Sequence, residues 1–217
     1  LTADDMDKPG VEGAMWCCSP PPRDSEAQEA VWAALKDGTF QTFSSDHAPY
    51  QFNEKGKIPK GDKTTFKEMA NGVPGLEIRL PMLFSEGVQK GRITLQQFVA
   101  LTSANHAKLY GLYPRKGTIA VGSDADFAIW DADKDVTVRW TDLHDNVGYS
   151  PYEGRQLKGW PITVVSRGRV VVEDGKLNAE RGSGQFLPCA SPDSAKPQGQ
   201  SAPELQAMSR FGLKPLF

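Results

Sequence analysis

The segment Thr39-Phe-Gln-Thr-Phe43, which runs into Ser44-Ser-Asp-His-Ala-Pro49, decides the fold class of this chain. Its first half mixes apolar and β-branched residues in alternation, a pattern that predicts a short strand. A capping box at Ser25-Glu-Ala-Gln28 predicts a preceding helix over 26–36, which Gly38 would end. A helix followed by a strand with polar residues at its end is typical of β/α barrels and of doubly wound α/β sheets.

The cluster Ser44-Ser-Asp-His47 is the candidate site, because both of these folds carry their chemistry at the carboxyl ends of strands. A carboxylate at that place can bind a metal ion and relay a proton, whereas a carboxylate in an ordinary loop usually caps a turn. From the residues alone, both interpretations of Asp46 stay open. His106, in a predicted helical run, and His144, in an Asp-rich loop, are assigned ordinary structural roles.

Helical sequence continues up to the neighbourhood of Pro114. A helix is predicted over 79–89, and the capping box Thr94-Leu-Gln-Gln97 predicts the start of another. Ser103 is expected to cap a further turn or two that ends at Gly111.

Strand-forming sequence follows. Short runs rich in β-branched residues predict strands over 126–130, 136–140, 162–166 and 169–173. Arg167-Gly168 separates the last two runs and predicts a tight hairpin turn. After Gly182 the chain is rich in Gly, Ser, Pro and Gln, which predicts an extended or disordered tail.

The charge balance excludes several classes of partner. The chain has 25 Lys and Arg against 27 Asp and Glu, a formal charge of −2, so it lacks the basic footprint of a nucleic-acid-binding protein. It has no apolar run of the roughly 18–20 residues that span a bilayer. Its first residues are acidic and lack the apolar core of a secretory signal. We therefore expect neither a nucleic-acid nor a membrane partner.

Cysteine usage points to a reducing compartment. Cys17 and Cys18 are adjacent, and neighbouring residues make a poor disulfide because the usual Cα separation is hard to reach. Cys189 is far away in the chain, and no CxxC pair offers a zinc site. We expect three free thiols and a cytoplasmic protein.

Length raises a question about the barrel. A complete (β/α)₈ barrel needs about 250 residues, whereas only residues 1–112 precede the predicted β region. Either the first region is a small α/β unit, or the chain is a fragment of a larger fold.

Six segments occur in the order in which they are found in the dihydropyrimidinase and D-hydantoinase family of cyclic amidohydrolases. They are Cys18-Ser-Pro-Pro-Pro-Arg23, Ser45-Asp-His-Ala-Pro49, Asn71-Gly-Val-Pro-Gly-Leu-Glu77, Leu101-Thr-Ser-Ala-Asn105, Leu112-Tyr-Pro-Arg-Lys-Gly117 and Ile119-Ala-Val-Gly-Ser-Asp-Ala-Asp126. The resemblance extends through Gly182-Ser-Gly-Gln-Phe-Leu-Pro188 and is to the carboxyl-terminal half of that family. The expectation is therefore a fragment.

The resemblance implies an α/β fold with three regions. Residues 1–112 would be the last strand-helix units of a metal-dependent (β/α)₈ amidohydrolase barrel. Residues 113–177 would be part of a small antiparallel β-sandwich domain. Residues 178–217 would be an extended tail. Because the family's β domain also takes strands from the amino terminus, open sheet edges are expected here.

The resemblance also implies the site residues. Asp46 matches the aspartate that binds one of two divalent metal ions, zinc by family expectation, and shuttles the proton. Ser19 and Asn71 match positions whose main-chain groups hydrogen-bond the ring amide of the substrate. The remaining metal ligands lie upstream in the family, so this chain alone is expected to be inactive.

The implied function is hydrolytic opening of the ring amide in dihydropyrimidines or hydantoins, as in pyrimidine degradation. The implied assembly is a homotetramer in which the proline-rich stretch 188–203 lets the apolar segment 204–217 dock on a neighbour. Two alternatives remain. One is a non-catalytic scaffold like the collapsin response mediator proteins, which lack metal ligands; the other is an assembly module. Asp46 favours the enzyme because a carboxylate in that position suits a metal site.

Overall fold

A computed structural model describes residues 1–192, and the predicted docking segment 204–217 lies outside that range. Its α-helices and strands are α1 (Ala3–Met6), α2 (Ser25–Asp37), α3 (Arg79–Leu83), α4 (Leu95–Val99), α5 (Asn105–Leu109), β1 (Phe127–Thr137), β2 (Gln156–Ser166), β3 (Arg169–Glu173) and β4 (Lys176–Leu177). The α-helices thus occupy the first part of the described range and the strands the second. The domain boundaries predicted after residues 112 and 177 stay predictions.

Helix α2 forms where the sequence predicts a helix, and it ends at Gly38 in the left-handed conformation, with φ of 86°. The predicted capping box is wrong. The carboxylate of Asp24, one residue earlier, accepts the capping hydrogen bond from a main-chain amide of the first turn, at 2.8 Å. Ser25 is already helical, and the side chain of Gln28 donates to the carbonyl of the first residue of the chain instead. Asp and Ser cap helices about equally well, so α2 begins one residue earlier than predicted and is still capped.

The predicted strand over 39–43 is not formed. A strand needs a hydrogen-bonded neighbour, and within residues 1–192 no strand pairs with this segment. Its main-chain amides bond to helical residues instead: the amide of Phe40 donates to the carbonyl of Ala34 at 3.1 Å, and the amide of Phe43 donates to the carbonyl of Leu101 at 2.9 Å. All strand pairs in the described range are antiparallel and belong to one sheet. The barrel strands and the second sheet of a sandwich are therefore not observed there.

Helices α3 and α4 confirm the predictions for this region. Thr94 caps α4: its hydroxyl accepts from the amide of Gln97 at 3.2 Å, and the Gln97 side chain accepts from the Thr94 amide at 2.9 Å. Both helices continue into π-helical turns, over Phe84–Gln89 and Ala100–Ala104. The second of these joins α4 to α5, so the predicted new cap at Ser103 is wrong. None of the helices in residues 1–192 is both long and apolar enough to cross a membrane.

The four strands pair in chain order as an antiparallel sheet. Two predicted strands, over 126–130 and 136–140, are replaced by the single strand β1, which is interrupted between Asp131 and Asp135 by an irregularity in the pairing with β2. Arg167 and Gly168 have positive φ angles and form the predicted two-residue hairpin between β2 and β3. Among the described strands β1 has only β2 as a neighbour, so its other edge is open.

The main hydrophobic core joins the helices to the sheet. Phe84, at the start of the π-helical turn, stacks on Trp130 of β1 with 4.9 Å between ring centroids. Phe98 of α4 meets both rings edge-on, at 5.5 Å. A second, smaller core of Ile78, Val138 and Leu157 connects the start of α3 to the sheet. The aromatic core requires a close approach by β2, where Gly159 lies against the Phe84 ring.

Gly159→Ala is expected to lower the free energy of unfolding of the full-length protein by about 2–3 kcal/mol. A Cβ at this position would overlap the Phe84 ring, and overpacking of this kind costs about 1–3 kcal/mol. The φ angle of 94° adds a backbone cost for any residue with a side chain. Gly122 is a matched control, because it has the same φ of 94° but open space around it. Denaturant unfolding should show a smaller loss for Gly122→Ala, and equal losses would contradict the proposed overlap.

Candidate functional site

Asp46 lies in an exposed turn that is anchored through Phe43. The Phe43 carbonyl accepts two hydrogen bonds, from Nη1 of Arg79 at 2.5 Å and from Nε2 of His106 at 3.1 Å. Asp46 itself has a left-handed backbone, with φ of 45°, which Asp tolerates better than most residues. His106 therefore has the structural role that the sequence predicts, and it helps to anchor the segment that leads to Asp46.

The residues after Asp46 connect this turn to a second loop. His47 Nδ1 accepts from the amides of Gly75 and Leu76, at 3.1 and 3.3 Å. The amide of Ala48 donates to the carbonyl of Val73 at 3.0 Å. Because Nδ1 of His47 is an acceptor, it carries no proton and is not available as a metal ligand. The turn of Asp46 and the loop 71–76 are thus held side by side.

Ser19 and Asn71 lie together in the structure. Nδ2 of Asn71 donates to Oγ of Ser19 at 2.5 Å, across 52 residues of sequence. Both residues are exposed. No other group in residues 1–192 forms a hydrogen bond with the main-chain N–H or C=O of either residue. These main-chain groups are therefore free to contact a ligand.

Lys57 is a feature of this region that sequence reasoning missed. Its side chain is fully buried, and Nζ donates to the carbonyl of Cys17 at 2.9 Å and to the carbonyl of Gly72. Burial lowers the pKa of this lysine. No local signal distinguishes it, because lysines in a loop rich in Lys, Gly and Pro are normally solvated.

The described residues do not form a metal centre by themselves. Within residues 1–192, no three His, Cys, Asp or Glu side chains lie close enough to hold a metal ion. His144 is an exposed partner of Glu77, with 3.0 Å between Nδ1 and Oε1, rather than of the Asp residues in its own loop. A two-metal hydrolase site needs several ligands. Asp46 is the single predicted ligand among the described residues.

The acidic motif near residue 124 is structural. Nζ of Lys116 contacts the carboxylates of Asp124, at 2.9 Å, and Asp126. Partial burial acts to lower the pKa of Lys116, but the hydrogen bonds to Asp126 and Asp124 raise it overall. The other oxygen of Asp126 accepts from the amide of Arg167, in the β2–β3 turn, at 2.7 Å. These carboxylates connect the start of the sheet region to its hairpin.

A cavity of about 530 Å³ is a separate feature, bordered by side chains of α2 and by Leu83 of α3. It is lined mainly by apolar side chains, including Trp32 and Phe43. Asp46, Ser19 and Asn71 are not among its lining residues. The candidate site is therefore the exposed surface formed by the three loops that carry those residues.

Known proteins resemble this chain over most of its length. The amidohydrolase family model matches residues 3–171. A D-hydantoinase of Ralstonia pickettii is 43% identical over 187 residues, which are 86% of this chain and 40% of that protein. The crystal structure of a dihydropyrimidinase from Brevibacillus agri superposes with a TM-score of 0.85 at 43% identity, covering 91% of this chain and 42% of that one. An L-hydantoinase from Arthrobacter aurescens superposes with a TM-score of 0.75 at 37% identity, covering 87% of this chain and 40% of that one.

The chain thus spans about two fifths of the length of the relatives that it matches. The resemblance to dihydropyrimidinases and D-hydantoinases that the sequence motifs indicate is confirmed. Members of the amidohydrolase family are typically metal-dependent. Because the family model matches residues 3–171, the chain belongs to the amidohydrolase family.

Proposed function

We propose that the full-length protein containing this chain hydrolyses the ring amide of dihydropyrimidines or hydantoins. The observation that carries this proposal is the free polar surface formed by three connected loops. One loop carries the Asp46 carboxylate, to which no group in residues 1–192 donates a hydrogen bond. The other two carry Ser19 and Asn71, whose main-chain groups are free. The relatives named hydantoinase and dihydropyrimidinase support the same reaction, so the scaffold alternative is not favoured.

Each of these groups has a role in the proposed chemistry. Water adds to the ring carbonyl carbon, the ring C–N bond breaks, and the leaving nitrogen takes a proton. The Asp46 carboxylate accepts the proton of the attacking water and passes it to that nitrogen. The main-chain groups of Ser19 and Asn71 hold the planar amide by hydrogen bonds, without bringing a charge next to it.

We also propose that Asp46 contributes to a centre of two divalent metal ions, zinc by family expectation, whose other ligands lie outside the described residues. A centre of this kind would supply activated water when loaded. A cytoplasmic location and a homotetramer are further proposals. The location is supported by Cys17, Cys18 and Cys189, which are free thiols.

The direct test uses the purified full-length protein with dihydrouracil and hydantoin as substrates. We expect chelator-sensitive release of the ring-opened product, restored by Zn²⁺. A metal-loaded full-length protein that opens neither ring would contradict the proposed function.

Residues 1–217 alone are expected to show no measurable ring opening, with or without added Zn²⁺. The described residues offer one predicted metal ligand where a two-metal site needs several. Purified chain should therefore also retain no stoichiometric zinc after desalting, as measured by atomic emission. Steady hydrolysis by the isolated chain that a chelator abolishes would disprove this prediction. The full-length protein, measured in parallel, is the positive control.

A further inference from the structure

Lys57 is buried in an unusual way. Its side chain is completely excluded from solvent, whereas lysines are almost never fully buried unless they are paired with a charge. Among residues 1–192 no carboxylate forms an ion pair with it, and both partners of Nζ are main-chain carbonyls. Burying an ammonium group without a counter-ion is costly. Nζ thus supplies a donor to two main-chain carbonyls of separate loops, and for the Gly72 carbonyl it is the only donor within residues 1–192.

Both carbonyls belong to residues next to the Ser19–Asn71 pair. Cys17 lies two residues before Ser19, and Gly72 follows Asn71 directly. The amide of Gly72 also donates to the Cys17 carbonyl, at 3.0 Å, so that oxygen receives two donors. Nζ of Lys57 therefore connects the two loops where their main chains are also hydrogen-bonded to each other.

The main chain of Lys57 is held independently of its side chain. Its amide donates to the carbonyl of Gln51 at 2.7 Å, and its carbonyl accepts from the amide of Ala70 at 3.1 Å. Ala70 is the neighbour of Asn71. The lysine is therefore bonded to the same loop twice, through its main-chain carbonyl and through Nζ. Because the main chain of Lys57 is fixed, the position of Nζ fixes the distance between the two loops. A lysine with a mobile main chain would move with the loops and could not set that distance.

The loop of Asp46 is packed against the same place. Gly72 has a φ of 130°, and a Cβ there would overlap the side chain of Ala48, two residues after Asp46. This contact with Ala48 holds Gly72 from the side of the Asp46 loop, so loss of the Lys57 donors should displace the loop of Ser19 rather than the segment that carries the carboxylate.

We propose that Lys57 is a positioning residue, which clamps the loop of Ser19 to the loop of Asn71 so that their main-chain groups address one ring amide. The inference rests on the proposed function, because the ligand of these groups is the ring amide. Lys57 does not touch the substrate. It sets the spacing of the two loops through the Cys17 and Gly72 carbonyls.

The test is Lys57→Met in the full-length protein, which keeps the length of the side chain and removes the donors. We expect KM for dihydrouracil to rise about tenfold while kcat changes less than about threefold, the pattern of lost ground-state binding. Lys55→Met is the matched control, since Lys55 is an exposed lysine of the same loop. It should leave both constants unchanged. Equal KM values for the Lys57 variant and the wild type would overturn the inference.

A second readout does not depend on activity. Amide hydrogen exchange at Gly72 is expected to become about tenfold faster in the Lys57 variant, because the Gly72 amide is hydrogen-bonded within the clamp. Amides of α3 should keep their rates. Faster exchange throughout the protein would mean that Lys57 is merely structural and would overturn the inference.

The two readouts separate the clamp from the proposed function. If the wild-type protein opens no ring, the proposed function fails, and the role of the clamp in substrate binding fails with it. Hydrogen exchange at Gly72 then still shows whether Lys57 holds the two loops together. If Lys57→Met does not fold, Lys57→Gln is measured in the same way, since its amide can still donate to one carbonyl. Failure of both variants to fold would assign Lys57 to stability alone and overturn the inference.

Discussion

In the full-length protein, Asp46→Asn is expected to lower kcat for ring opening by about 10²–10⁴, the usual cost of removing a well-placed general base. Asn keeps the shape of the side chain and one oxygen, but its amide cannot accept the proton of the attacking water. It also lacks the negative charge that a metal ligand supplies, so metal lost from the site would add to the effect. Steady-state kinetics with dihydrouracil, together with metal analysis of the same samples, would measure both contributions.

The fold should tolerate this substitution. No group in residues 1–192 donates a hydrogen bond to the Asp46 carboxylate, which lies on the surface. Asn also adopts the left-handed conformation that this turn requires, with φ of 45°. The free energy of unfolding should therefore change by less than about 0.5 kcal/mol. Asp62→Asn, at another exposed aspartate, is the control. A near-normal kcat for the Asp46 variant at full metal occupancy would make Asp46 a structural residue.

The sequence predicts those parts of the fold that depend on local interactions. The reciprocal hydrogen bonds of Thr94 and Gln97 involve residues three apart, so the start of α4 can be identified from the residues themselves. The turn at Arg167-Gly168 is similarly local, because its conformation depends on the two turn residues and on the runs that flank them. Gly38 ends α2 for the same kind of reason.

The errors occur where a distant partner decides the outcome. The pattern over 39–43 suits a strand, but a strand forms only beside another one, and residues 1–192 provide none there. Gln28 was predicted to complete a capping box, but its side chain donates to a carbonyl at the start of the chain, 27 residues away, while Asp24 caps the helix. Periodicity describes the preference of a segment and contains no information about its neighbours.

At the candidate site, too, the sequence indicates individual residues but not the contacts between distant ones. Motifs in the sequence indicate Asp46, Ser19 and Asn71 one at a time, whereas the contact between the last two spans 52 residues. That contact depends on loops whose composition carries no periodic signal. Lys57 was missed for this reason: its burial results from the packing of three separate segments around it.

Phe84→Ala is expected to lower the free energy of unfolding of the full-length protein by about 3–5 kcal/mol. The Phe84 ring is 5% exposed and contacts both Phe98 and Trp130, so its removal leaves a cavity between the helices and the sheet. Gly159 of β2, which leaves room for the ring, cannot close that cavity because it has no side chain to fill it. Denaturant unfolding would measure the loss. Phe66→Ala is the control, since Phe66 is 77% exposed, and equal losses for the two variants would contradict this account of the core.

The cavity left by Phe84→Ala should also affect the candidate site. Phe43 packs against the core cluster that contains Phe84, and its carbonyl anchors the segment that leads to Asp46. A small displacement of a proton-transferring group can cost as much as 10² in rate. At a temperature where Phe84→Ala remains folded, kcat is therefore expected to fall about tenfold, while Phe66→Ala keeps the wild-type value. An unchanged kcat for the Phe84 variant would mean that two hydrogen bonds hold Asp46 without support from the core, namely that from Arg79 to the Phe43 carbonyl and that from the Phe43 amide to Leu101 in the π-helical turn after α4.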